Sequence, residues 1–149
     1  MTILRNRVQT ALYIIGSEPQ ILFYAGLKTP TRFFYFYPLI YPSTLREAFR
    51  AEVTNDLRNN MPDVLIYVNH PSSHFISPFP NDQFLADLFR LFSQYRLVAL
   101  SIFGQDEVMV DESSLNNKAL LTRIGALHVY KRTIEGQASA ITLEKRFGL

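Results

Sequence analysis

Apolar runs and amphipathic stretches alternate along this chain at short, regular intervals. Residues 11–15 (ALYII) form an unbroken apolar run stopped by Gly16, the pattern of a buried strand. Ser17, Pro19 and Gln20 then read as a helix start. Ser17 would supply the capping hydroxyl, Gln20 the third position of a capping box, and Pro19 fits the first turn, where an N–H has no partner anyway. This helix, residues 18–25, is brief, and Gly26 is its stop. After a loop at 27–31, residues 32–37 predict a second strand, broken by Pro38 and Pro42.

Thr44 and Glu47 form a second capping-box pair. Leu45, Phe49, Val53 and Leu57 follow at four-residue spacing, with Ala48 widening the stripe, and predict an amphipathic helix ended by Asn59, Asn60 and Pro62. Residues 63–68 (DVLIYV) are apolar without alternation, as a strand covered on both faces should be. A Pro- and Ser-rich loop spans 69–80. A third helix starts at Asn81 or Asp82 and gathers Phe84, Leu85, Leu88, Leu91 and Phe92 on one side. Residues 96–103 predict a fourth strand, 104–115 a polar loop or short hairpin, 116–124 one or two helical turns, and 126–131 a last strand. The tail, 133–149, has no clear period. This alternation predicts a single α/β domain over residues 1–149. Its expected form is three-layer, with a largely parallel, Rossmann-like sheet, right-handed crossovers, helices on both faces and room for an antiparallel edge strand.

Composition narrows the function classes. At 149 residues, 48% hydrophobic and 19% charged, the chain is globular in character. The net charge of +2 comes from singly scattered residues, so no nucleic-acid partner is expected despite a pI near 9.0. Absence of cysteine removes disulfides, thiol nucleophiles and cysteine-based zinc sites. The opening MTILRNRVQT has no signal-peptide core, and the most apolar run, residues 33–41, is short and holds Pro38, so the chain is expected to be soluble. Twelve Phe and eight Tyr stand beside no Trp, many of them in 32–41 (RFFYFYPLIY). That segment is either a packed aromatic strand or an aromatic surface for a sugar or a membrane.

Familiar catalytic patterns are missing. The turn after the first strand has one glycine where a dinucleotide fingerprint needs three, and Glu18 sits where a pyrophosphate would lie. No phosphate-binding Gly-Lys-Ser/Thr loop occurs. His70 and His74 have helical spacing, but Pro71 interrupts the pair and no Glu follows His70. Ser72 and Ser73 lack a nucleophile elbow, and the pairs Asp106-Glu107 and Asp111-Glu112 read as a solvated surface. No catalytic residue, metal or cofactor is expected.

Residues 16–39, from Gly16-Ser17-Glu18-Pro19 through Tyr24-Ala25-Gly26, Pro30, Arg32 and the aromatic run to Pro38-Leu39, carry a resemblance. Pro62-Asp63-Val64-Leu65-Ile66-Tyr67, Tyr95-Arg96-Leu97-Val98 and Leu127-His128-Val129-Tyr130-Lys131-Arg132 continue it in order. Together they resemble the segment after the last transmembrane helix of GT-C type membrane glycosyltransferases, related to dolichyl-phosphate-mannose–protein mannosyltransferases. Leu27-Lys28 departs from the arginine common after that family's glycine. The resemblance implies a non-catalytic, extracytoplasmic domain of a polytopic transferase using a polyprenyl-phosphate sugar donor. Its partners would be the membrane-embedded portion of the same protein and a glycan or peptide acceptor. The alternative is a free-standing α/β module that binds a small ligand or a protein.

In open α/β sheets ligands gather at the carboxyl ends of the strands. On the predicted strands that edge collects Ser17 and Glu18 after the first, and Asn69, His70, Ser72 and Ser73 after the third. The competing expectation is that Ser17 and Glu18 cap their helix while the loop is solvated.

Overall fold

The computed structural model describes residues 10–74 and 83–133. The tail without a clear period from residue 134 on, the end of the Pro-rich loop and the start of the third helix at Asn81 or Asp82 lie outside them. The strands are β1 (Leu12–Ile15), β2 (Val64–Asn69), β3 (Tyr95–Ile102), β4 (Val108–Met109) and β5 (Ala126–Arg132). The helices are α1 (Gln20–Ala25), α2 (Tyr37–Ile40), α3 (Arg46–Asn59), α4 (Pro71–His74), α5 (Gln83–Leu91), α6 (Glu112–Leu115) and α7 (Lys118–Leu121).

The result is a mixed α/β fold around one open five-stranded sheet, ordered β1-β2-β5-β3-β4. The expected largely parallel sheet is corrected. Only β1 and β2 pair in parallel; β5 is antiparallel to both its neighbours, and β4 is an antiparallel edge. Parallel pairing needs a crossover to the opposite end of the sheet, commonly a long helix. Between β3 and β5 the chain has only β4 and the single turns α6 and α7, so it re-enters the sheet at the end it left. Phe103 N donates to Gly125 O at 2.9 Å, closing that return. Because β5 opposes β2 and β3, the strands β1, β2 and β3 all run one way, as a helix-crossover reading requires. β5 is wedged between two of them.

The two faces of the sheet are covered unequally. On one, Tyr13, Ile15, Leu65, Leu97 and Tyr130 meet Leu39 and Ile40 of α2, Val53 and Leu57 of α3, and Phe84, Leu85, Leu88 and Phe89 of α5. A register shift between Leu97 and Ala99 keeps Leu100 and Ile102 buried as well, beneath Leu115 and Leu121. On the back face, Leu12, Ile14, Ile66 and Val68 are met by Ile21 and Leu22 of α1 and by Leu27. The stripes behind α3 and α5 are as expected, except that Ala48 is exposed and does not widen the first, and Leu45 is exposed and precedes its helix.

The aromatic segment is not the expected strand. It follows the outer edge of β1, touching it at the two ends: Leu12 N donates to Lys28 O, and Phe36 N to Gly16 O, both at 2.9 Å. Between them Pro30 has no N–H to give, and the Thr31 hydroxyl accepts Phe33 N at 3.3 Å in a local turn. Phe33, Phe36 and Leu39 are buried while Phe34 is exposed, a three-residue spacing in place of strand alternation. Pro38 then sits in the first turn of α2 and does not break it.

Candidate functional site at the carboxyl ends of the strands

β1 ends at Ile15, β2 at Asn69 and β3 at Ile102, and their common direction brings the residues that follow to one edge of the sheet. Gly16 turns the chain from β1 towards α1. Its φ is not in the left-handed region, so space rather than conformation calls for glycine. A Cβ there would lie 2.5 Å from Glu18 Oε2 and 2.8 Å from Val68 Cγ2. The missing side chain therefore lets the Glu18 carboxylate fold back over the end of β2.

Neither expected capping box forms. Ser17 donates its hydroxyl to the Ser73 carbonyl at 2.8 Å, and α1 starts later, behind Pro19, with no side-chain cap. Ser73, 1% exposed, donates its hydroxyl to Glu18 Oε1. The other carboxylate oxygen, Oε2, is buried with no hydrogen-bond partner among the described residues. In the second box, Leu45 occupies the cap of α3 without a side-chain bond, and Glu47 instead receives Arg46 Nε at 2.9 Å. Gly26, with φ of 62°, does close α1 as expected.

The loop after β2 is partly ordered as α4. Pro71 opens that turn, so His70 lies just outside it. His70 Nδ1 and Ser72 Oγ are 2.5 Å apart, and Ser72 N donates to the same ring nitrogen at 3.2 Å. The His70 ring meets Phe103 edge-on, with centroids 6.0 Å apart. Asn69 Nδ2 donates to Arg123 O at 2.9 Å, and its carbonyl accepts Gly125 N at 2.8 Å. Asn69 thus pins the return into β5.

The six candidate residues therefore do converge, though in three separate pairings: Ser17 and Glu18 with Ser73, His70 with Ser72, and Asn69 with the turn at Arg123 and Gly125. No carboxylate hydrogen-bonds His70 among the described residues, so Ser72–His70 lacks the third group that orients a base. No group of three or more metal-ligating side chains occurs among the described residues. Asp111 of the acidic loop caps α6, accepting Ser114 N at 2.8 Å and the Ser113 hydroxyl at 2.5 Å. Those bonds pull its carboxyl down to about 2. Sequence reasoning missed Phe103, whose place beside His70 follows from β3 and β2 both ending at this edge. No protein-family model, curated protein or solved structure matches the chain. No helix among the described residues is long and apolar enough to cross a membrane.

Proposed function

We propose that the chain is the extracytoplasmic domain of a polytopic membrane glycosyltransferase that uses a polyprenyl-phosphate sugar donor. In this reading the domain is itself non-catalytic and helps to receive the acceptor. The observation that carries the proposal is the pairing at the strand ends. Serine, glutamate and histidine are present there, but each hydroxyl is committed to a partner that holds the loop and not to a relay for proton transfer. The surface they leave, the exposed Ser72 hydroxyl beside the half-buried His70 imidazole and Asn69 amide, suits glycan hydroxyls or peptide amides. The segments resembling the transferase family also support it: they supply α1 and α2 and contribute to β2, β3 and β5, neighbouring strands of one sheet.

The test is the coding sequence upstream of Met1 together with an assay of the purified chain. Several upstream spans of about 20 apolar residues are expected, with no turnover of a polyprenyl-phosphate sugar by the isolated chain. An independent start with no such spans would favour the free-standing binding module, and turnover would overturn the non-catalytic role.

A further inference from the structure

Among the described residues the two most exposed large hydrophobic side chains are neighbours. Phe23 is 81% and Tyr24 84% exposed, and their rings meet edge-to-face at 5.6 Å in the last turn of α1. This helix, QILFYA, has no charged residue. Ile21 and Leu22 spend its inner side on the back of the sheet, leaving the aromatic pair outward. Lys28 follows the Gly26 cap; it is exposed, and its ammonium has no carboxylate partner among the described residues.

Charge is divided in the same sense. Residues 1–46 carry five Lys/Arg and one Asp/Glu, whereas residues 47–149 carry ten and twelve. The one acid of the first stretch, Glu18, is turned inward onto Ser73. Phe34, Tyr41 and Leu45, each more than half exposed, belong to this stretch too. Of the described cations in this stretch, Arg32 is paired with Glu52 and Arg46 with Glu47, which leaves Lys28 beside the aromatic pair. Two outward rings followed by a cation with no carboxylate partner are the chemistry of a membrane–water interface facing anionic headgroups.

We propose that Phe23, Tyr24 and Lys28 seat this domain on an anionic lipid surface, the two rings entering the headgroup region and Lys28 meeting phosphate. Its biological setting rests on the membrane-adjacent reading above, but the two fail separately: vesicle binding does not depend on what lies upstream of Met1.

The experiment uses the full chain and vesicles of phosphatidylcholine with or without phosphatidylglycerol. Cosedimentation is expected with the anionic vesicles and is weaker with pure phosphatidylcholine. Phe23→Ser with Tyr24→Ser should weaken binding at least about tenfold. Lys28→Gln should weaken it about fivefold on anionic vesicles only. Because the chain has no tryptophan, Tyr24→Trp makes a single reporter. Its emission should shift to the blue on adding anionic vesicles, while Val110→Trp, another exposed position, should not shift. Absence of vesicle binding, a Tyr24→Trp signal that stays put, or a patch that mediates self-association in place of vesicle binding would each overturn the proposal.

Discussion

The two faces of the sheet divide the work of this molecule. Under α2, α3 and α5, large side chains such as Tyr13, Phe92, Tyr95 and Tyr130 are almost wholly buried. The back face is met by Leu27 and by one six-residue helix that shows two aromatic rings to the outside. Burial of apolar area is the main favourable term in folding, so the first face should carry most of the stability. The second is free to carry contacts made with something else. A chain that placed equal cover on both sides would have no reason to leave Phe23 and Tyr24 uncovered.

The largest effect should come from the well-covered side. Phe92→Ala removes a ring with 0% exposure that lies 6.1 Å from Tyr13 and 5.1 Å from Tyr95. A loss of about 3–5 kcal/mol in urea unfolding is expected. A smaller loss than that of Val68→Ala on the back face would break the comparison. Gly16→Ala probes a close approach on the back face. The added Cβ collides with Glu18 and Val68, and a loss of about 1–3 kcal/mol should follow, partly restored by Val68→Ala in the same chain. If the single variant melts like the native protein, the close approach is not needed.

Ser73→Ala takes the donor from Glu18 and should cost about 1–2 kcal/mol, read by thermal unfolding. Glu18→Gln in that background should recover part of it, since a neutral amide loses less on burial than a carboxylate. Tyr13→Phe should be close to neutral. The Tyr13 hydroxyl is buried with no hydrogen-bond partner among the described residues, and burial pushes its phenol up. A loss above about 1 kcal/mol would mean that the hydroxyl has a partner. The smallest change concerns Asp111. Its folded value, about 2, lies below the ordinary 3.8, so its contribution is present above pH 3.8 and disappears as pH falls towards 2. Asp111→Ala should therefore flatten the acid limb of the stability profile in that window and slightly lower stability at neutral pH, where the capping contribution is fully present.

Much of the fold was legible because its local signals were strong. The stripe Phe49, Val53, Leu57 and the stripe Phe84, Leu85, Leu88 each repeat over several turns, and β2 is an unbroken apolar run. The aromatic segment misled because Phe33 to Tyr37 have high strand propensity while Pro30, Thr31 and Pro38 direct the backbone otherwise. The place of β5 could not be read at all. Its pairing with Val64–Asn69 depends on where the turns at Phe103 and Gly125 send the chain, which no local pattern encodes. The site was half legible. Strand direction put Ser17, Glu18, His70 and Ser73 at one edge, but the Glu18–Ser73 bond joins residues 55 apart, and capping was the wrong local guess.

The position of β5 also sets a timetable. It is the last of the five strands to leave the ribosome, yet it lies in the middle of the sheet. Until residue 132 has emerged, β2 and β3 each present an open edge with no neighbour on that side. The nascent chain must therefore wait, with its α3 and α5 stripes already synthesised, for a strand that joins its two halves. Synthesis halted before Ala126 would release an unfinished sheet with two open seams, the kind of intermediate that chaperones intercept.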